Sequence, residues 1–308
     1  MSDSLTSCPK AFVLGHPIRH SKSPALHQAA YRVLGEQIVY ECLDTVEDQL
    51  ASVFECFGPH SSTCGFSVTM PLKSAVIAYL DELTPFARAV GVVNTVYWRE
   101  IEGLWRSFGH NTDVSGIVNA LRQEGLLGLP ARAAVLGGGG TATAALAALR
   151  FMGSTGVDVF VRDPRRAEGA QQAAQRLGMD LTFIPLAEFW SRLEEYELTI
   201  STLPAGAADK VVETGPRAHR AGYLLDVSYD PWPSKLALAY QESGGRVTSG
   251  LEMLMYQAVD QVRLFTGRSL EDYLPYEQQV LEAMRKAVDL PLTGYLPQQV
   301  SDPSALGM

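Results

Sequence analysis

Ala133-Ala134-Val135-Leu136-Gly137-Gly138-Gly139-Gly140-Thr141-Ala142 is the stretch whose reading decides the fold. Four apolar residues read as a short buried strand, the glycines as a turn, and the alanine-rich run from Thr141 to Met152 as a helix. Strand, glycine turn and helix in that order open a dinucleotide-binding unit, and Gly137-x-Gly139-x-x-Ala142 fits its fingerprint with alanine in the third place. Small residues let the backbone approach a pyrophosphate, and the helix start offers its amides to the charge. Gly137, Gly138, Gly139, Gly140, Thr141 and Ala142 are therefore the candidate cofactor contacts. Four glycines alone would also make a flexible turn; the flanking strand and helix carry the reading.

Working outward, Val157–Val161 reads as the next strand, with further strands at Leu181–Ile184, Leu198–Ser201 and Tyr223–Val227. This is the rhythm of a doubly wound parallel sheet. The second strand runs into Val161-Arg162-Asp163-Pro164-Arg165-Arg166. An acid there binds the ribose 2′-hydroxyl of NAD, whereas guanidiniums grip the 2′-phosphate of NADP. Arg162 and Arg166, with Arg165 between them, favour NADP; Asp163 leaves NAD open.

Upstream, Ala11–Gly15 reads as a strand, Pro24–Leu34 as a helix closed by Gly35, and Ile38–Cys42 as a strand. Phe66–Thr69 reads as a strand stopped by Pro71. Residues 73–80 read as a helix and Val92–Trp98 as a β-branched strand. That alternation is an α/β layer structure. Residues 114–127 suit a linking helix. Residues 251–266 and 270–288 read as amphipathic helices that return to the first domain, and the tail from Pro291 as loosely ordered chain.

The chain has 308 residues, 46% of them hydrophobic and 19% charged, which favours two packed globular domains. A formal net charge of -9 argues against general nucleic-acid binding and leaves room for a local basic pocket. The four cysteines form no C-x-x-C pair and no histidine cluster has metal spacing, so we expect buried or incidental thiols in a reducing compartment and no metal. Met1–Lys10 is polar and lacks the apolar run of a signal peptide. Ala131–Met152, the most apolar segment, is interrupted by four glycines and two threonines, too many to span a bilayer convincingly. A soluble cytoplasmic protein without membrane partners is the expectation.

Two further stretches carry chemistry. Gly65-Phe66-Ser67-Val68-Thr69-Met70-Pro71-Leu72-Lys73 and Gly109-His110-Asn111-Thr112-Asp113 each set a charged residue in a polar loop after an apolar run. Alone, Lys73 reads as a solvated surface lysine and Asp113 as a helix cap before Val114. Together with a dinucleotide turn, an ammonium and a carboxylate suggest redox chemistry on a small polar molecule.

Over nearly its whole length the chain resembles the shikimate dehydrogenase family. His20-Ser21-Lys22-Ser23-Pro24 is similar to the family's serine-x-serine loop, and Phe66–Lys73 to its Asn-Val-Thr-x-Pro-x-Lys motif. Gly91-Val92-Val93-Asn94-Thr95, Asn111-Thr112-Asp113, Asp226–Pro231 and Gly250–Ala258 match four more blocks. Three positions depart from the pattern. Ser67 stands where asparagine is usual, Val161-Arg162-Asp163 replaces Asn-Arg-Thr, and Ile200–Pro204 replaces the common Asn-Ala-Thr stretch.

The resemblance implies NADP-dependent, reversible reduction of 3-dehydroshikimate to shikimate, with a small-molecule substrate and a monomeric or homodimeric enzyme. It implies Lys73 as the proton donor that stabilises charge on the carbonyl oxygen, and Asp113 as its orienting partner and an acceptor for a substrate hydroxyl. It implies Ser21 and Ser23, with Tyr229, at the substrate carboxylate, and Thr69, Asn94 and Gln257 at the ring hydroxyls. Thr202, Leu203, Val227 and Gly250 join the cofactor contacts. Local side-chain to backbone bonds are the plainer reading of Ser21 and Ser23, and a polar helix edge that of Gln257. Residues 1–113 and 248–308 would form a discontinuous substrate-binding domain of α/β type around a Rossmann-like NADP-binding domain at 114–247, closing on a common cleft. The rivals are an NAD-dependent quinate/shikimate dehydrogenase, supported by Asp163, a non-catalytic nucleotide sensor, opposed by Lys73 and Asp113, and a folate-linked dehydrogenase, which the serine loop does not fit.

Overall fold

The computed structural model describes residues 8–214 and 220–306, so most of the polar stretch Met1–Lys10 lies outside them. Within the described residues, one compact unit draws on the chain up to Arg88, Val92–Thr112 and Ala258–Ser301, and a second on Ala89–Gly91, Asp113–Gln257 and the chain from Asp302 onward.

The first unit is built on strands Lys10–Gly15 (β1), Val39–Asp44 (β2), Thr63–Val68 (β3), Glu82–Leu83 (β4), Thr95–Ile101 (β5) and Leu104–His110 (β6). Among the described residues they form a sheet in the order β2-β1-β3-β5-β6-β4. β1 runs parallel to β2 and β3, and β5 runs antiparallel to both β3 and β6. Successive side chains alternate between faces. Phe12, Leu14, Phe66, Val68, Val96 and Trp98 thus share one apolar layer with Leu50 and Val53, and the Phe66 and Trp98 rings meet edge-on at 5.1 Å. Ser67 falls between Phe66 and Val68, so its side chain leaves that layer. It meets the helix Gly250–Phe265 on the other face, where Phe265 lies against Gly65.

Three expectations shift here. The strand expected at Val92–Trp98 starts at Thr95, because Val93 and Asn94 spend their backbone N–H groups on Lys73 and His110. The turn after Pro71 tightens into a 3₁₀ segment, Ala75–Tyr79, rather than an α-helix over 73–80. β6 was not anticipated, since its first three residues, Leu104-Trp105-Arg106, are exposed on both faces.

The helix Glu277–Ala287 starts seven residues later than the pattern at 270–288 suggests. The Glu277 carboxylate accepts from the Leu274 backbone, and its two oxygens accept from Arg263 Nη2 at 2.7 and 2.8 Å. Asp260 holds the other arm at 2.5 Å, and Arg263 is only 2% exposed. This pair fastens the last two helices together. The tail after Leu290 has little regular structure, but it is anchored rather than loose. Val300 and Leu306 are buried, and Pro303–Leu306 packs on the helix Gly140–Phe151 of its own unit.

The second unit holds Ala133–Leu136 (β7), Gly156–Val161 (β8), Asp180–Pro185 (β9), Leu198–Ser201 (β10), Tyr223–Asp226 (β11) and Arg246–Ser249 (β12). Their order is β12-β11-β10-β7-β8-β9, every pairing parallel. Counted from β7, this is the 3-2-1-4-5-6 order of a Rossmann sheet, with its topological switch between β7 and β10. β12 is the one strand of this set that the sequence pattern did not suggest. Ala142 and the alanines after it are fully buried, which lets the helix Gly140–Phe151 lie close on the sheet. No helix among the described residues is long and apolar enough to cross a membrane.

Truncating one partner of a buried ion pair leaves the other charge stranded, at a typical cost of about 3–5 kcal/mol. Asp260 still compensates Arg263 in Glu277→Ala, so the expected loss is about 3 kcal/mol in chemical denaturation. A midpoint indistinguishable from the parent would show that the pair is dispensable.

Candidate active site

The registers of the first sheet decide which loops share an edge. β1 and β3 are parallel, β5 opposes β3 with Ser67 across from Thr95, and β6 opposes β5 with His110 across from Thr95. The chain segments leaving β1, β3 and β6 and the segment entering β5 therefore meet at one end of the sheet. These are the segments that hold Ser21 and Ser23, Thr69 and Lys73, Asn111 and Thr112, and Asn94. Backbone bonds tie them: Thr69 N–H to Leu14 O at 2.9 Å, His16 N–H to Met70 O at 3.1 Å, Val93 N–H to Lys73 O at 2.9 Å, and Val68 N–H to Asn94 O at 2.7 Å.

Asn94 is the hub of this edge. It is 2% exposed; its Oδ1 accepts from Thr112 N–H at 2.7 Å and from the Thr95 hydroxyl at 2.8 Å, while its Nδ2 donates to Thr112 Oγ1 at 2.9 Å. Asn111 Nδ2 reaches Val92 O at 3.0 Å. The Asn-Thr pair before Asp113 is thus held from both sides. Lys73 is half-buried at the end of the turn that follows Pro71. Ser21 Oγ accepts from Ser23 N–H at 3.3 Å, so the local turn expected of these serines is present, and Ser23 opens the helix Ser23–Leu34 as a buried residue.

Three further candidates belong to the second unit. Asp113 is buried at the first turn of the helix Asp113–Gln123, a favourable place for a carboxylate. Gln257 is buried, packs its Cβ toward Gly116, and donates to Leu254 O at 2.8 Å. Tyr229 is half-buried, and burial pushes its hydroxyl above the usual tyrosine range. The loop carrying it leaves β11 at Asp226, whose buried carboxylate accepts from Ser234 Oγ at 2.6 Å and Ser228 N–H at 3.2 Å.

The glycine turn sits at the switch point of the second sheet. Gly137 has φ +102°, open to glycine, and Thr202 lies directly beside it, its hydroxyl donating to Leu136 O at 2.8 Å. Gly138 lies against Ala167, Gly139 caps the helix, and Gly140 and Thr141 form its first turn. First-turn amides have no partner inside a helix, so this end suits an anion. Leu203 continues from Thr202, and Val227 N–H bonds Ser201 O at 2.9 Å. Gly250 packs on Val227 so closely that a Cβ would lie 2.0 Å from its carbonyl oxygen.

At the end of β8, Asp163 caps the turn Pro164–Ala167 and accepts from the Arg165 backbone and guanidinium at 3.0–3.1 Å. The Arg165 hydrogen bonds hold its carboxyl below the usual carboxylate range. Asp163 and Arg165 thus answer each other, while Arg162 and Arg166 stand exposed beside them. Two exposed guanidiniums next to a helix start fit a phosphorylated dinucleotide, and a carboxylate engaged by an arginine is poorly suited to a ribose diol.

Sequence reasoning passed over one group: His27, Tyr31, Tyr40 and Gln261, all buried on the polar face of the first sheet. Burial pushes His27 down to about 3, against a hydrogen bond that it donates to Gln261 and that acts the other way. Burial likewise pushes His110 down to about 4. The available signal was the i, i+4 spacing of Gln257 and Gln261, which places two amides on one helix face.

Comparison with known proteins gives a consistent picture. Residues 13–96 match the family described as shikimate dehydrogenase substrate binding domain. A shikimate dehydrogenase (NADP(+)) of Oleidesulfovibrio alaskensis is 35% identical over 84% of this chain and 90% of its own length. The crystal structure of Mycobacterium tuberculosis shikimate dehydrogenase aligns with TM-score 0.75 and 37% identity, covering 90% of this chain and 99% of that one. A Thermus thermophilus shikimate 5-dehydrogenase, solved in complex with NADP(H) and shikimate, aligns with TM-score 0.72 and 34% identity over 91% and 99%.

His27 and His110 remain neutral in the folded chain but take up protons near pH 6.5 once unfolded. Between about pH 6.5 and pH 4 the unfolded state then binds more protons, so stability falls as pH falls, by about 1.4 kcal/mol per pH unit for each histidine. Urea midpoints at pH 7 and pH 5 should show this loss, and His27→Gln should flatten the slope. An unchanged slope in that variant would mean that His27 is protonated in the fold.

Proposed function

The chain belongs to the shikimate dehydrogenase family, and on that premise we propose how it works. It is an NADP-dependent oxidoreductase acting on a CH–OH group, and it catalyses the reversible reduction of 3-dehydroshikimate to shikimate in the formation of chorismate and the aromatic amino acids. The observation that carries this reading is likeness over almost the full length to relatives named as NADP-dependent shikimate dehydrogenases.

NADPH bound at the glycine turn would supply the hydride. As negative charge grows on the carbonyl oxygen, the Lys73 ammonium stabilises it and delivers the proton. Asp113 accepts a hydrogen bond from a ring hydroxyl. Ser21 and Ser23, aided by Tyr229, hold the substrate carboxylate, and Thr69, Asn94 and Gln257 read the hydroxyls. The common sheet edge that gathers the segments of Ser21, Thr69, Lys73 and Asn94 supports this assignment. Gly137–Ala142 cradle the pyrophosphate, Arg162 and Arg166 take the 2′-phosphate, and Thr202, Leu203, Val227 and Gly250 complete the cofactor side.

We assign substrate binding to residues 1–113 with 248–308, in keeping with the family match at 13–96, and NADP binding to 114–247, in keeping with the Rossmann strand order. The four free thiols suit a reducing compartment, and we place the enzyme in the cytoplasm as a monomer or homodimer.

Rates with shikimate and quinate, each with NADP and NAD, test the function: the shikimate–NADP pair should dominate, and a dominant quinate–NAD pair would overturn it. In the reverse assay, with 3-dehydroshikimate, Arg162→Ala should raise KM for NADPH by about tenfold or more, the worth of a charged hydrogen bond, and hardly alter KM for NADH. Lys73→Ala should lower kcat by about 10²-fold or more with little change in folding, as loss of an oxyanion donor does elsewhere. Near-normal turnover in that variant would remove Lys73 from the chemistry.

A further inference from the structure

We propose that Gln261 is a positioning residue for substrate binding: one buried amide fixes the hydrogen-bond directions that reach the Asn94 side chain. The inference rests on the role proposed above for Asn94. Gln261 lies one turn beyond Gln257, is 1% exposed, and reaches the Asn94 side chain through Thr95.

Its two ends do different things. On the amide side, Nε2 donates to Thr95 Oγ1 at 3.0 Å and to Asn94 O at 3.3 Å. Thr95 has a single hydroxyl proton and gives it to Asn94 Oδ1 at 2.8 Å, the same oxygen that accepts from Thr112 N–H at 2.7 Å. Asn94 therefore cannot exchange its oxygen and nitrogen without setting an NH₂ group against two donors. Its donor side is the side it can present to a ligand.

On the carbonyl side, Oε1 accepts from Ser67 Oγ at 2.8 Å. Ser67 in turn accepts from Tyr40 Oη at 2.6 Å. His27 Nε2 stands 3.2 Å from the same Oε1, so that nitrogen carries the proton and Nδ1 accepts from Tyr31 Oη at 3.1 Å. Two donors, Ser67 and His27, thus point at one oxygen. Rotating the Gln261 amide by half a turn would oppose NH₂ to both of them. One orientation of one side chain thus sets the polarity of a neutral chain from Tyr40 to Asn94. A polyhydroxylated carboxylate is the class of ligand that needs donors in fixed places.

Gln261→Leu keeps the volume and deletes both ends. The expected result is a KM for shikimate raised about tenfold, roughly what one buried hydrogen bond is worth, with kcat and KM for NADP nearly unchanged. Because Gln261 acts through Asn94, Asn94→Ala/Gln261→Leu should be no worse in KM than Asn94→Ala. Thr95→Val cuts the same link while keeping the side-chain shape, and carries the test if Gln261→Leu does not fold. Additive effects in the double variant, or an unchanged KM in both Gln261→Leu and Thr95→Val, sink the inference while leaving Asn94 in the site. An unchanged KM in Asn94→Ala removes Asn94 itself, and the inference with it.

Discussion

The register of β3 is the constraint on which the first unit depends. Parallel to β1 and antiparallel to β5, it sends Phe66 and Val68 into the apolar layer and Ser67 to the polar face. A slip of one residue would exchange the two faces, driving a hydroxyl into the aromatic cluster and a phenyl ring onto Gln261. The same register sets Thr69 and Lys73 level with the segments that leave β1 and β6. Sheet pairing and site geometry are in this sense one fact, stated once in hydrogen bonds and once in side chains.

The molecule buries polar groups in two contrasting ways. Between the last two helices it uses full charges, with Arg263 clamped by Asp260 and Glu277. Such a pair offsets its own desolvation only while every arm is filled. Behind the sheet edge it uses neutral groups alone: hydroxyls, amides and an imidazole kept uncharged by burial. A neutral network needs only complete pairing. The separation between them is sharp, although Asp260 and Gln261 are neighbours in sequence.

Some of this was legible in the sequence. Ala133–Leu136 and Leu198–Ser201 are short apolar runs with turn residues around them, and they form strands with those bounds. The glycine turn was legible because strand and helix both flank it. Val92-Val93-Asn94 misled because β-branched residues fit a strand, while here the backbone is claimed by adjoining loops. β6 hid because Leu104-Trp105-Arg106 leaves large side chains in solvent. Gln261 was invisible for a different reason. A glutamine on an amphipathic helix looks like its wet edge until tertiary packing turns that edge inward. The mutual capture of Asp163 and Arg165 also depends on a turn geometry that composition does not express.

The exposure of Arg162 and Arg166 has a consequence for how such a protein changes over generations. Side chains that contribute nothing to packing are free to drift, so preference between dinucleotides could be retuned by one or two replacements that the fold would scarcely register. The sheet edge around Asn94 has no such liberty. Its directions are set by buried partners on three separated segments, and a new ring chemistry would require several of them to move in concert.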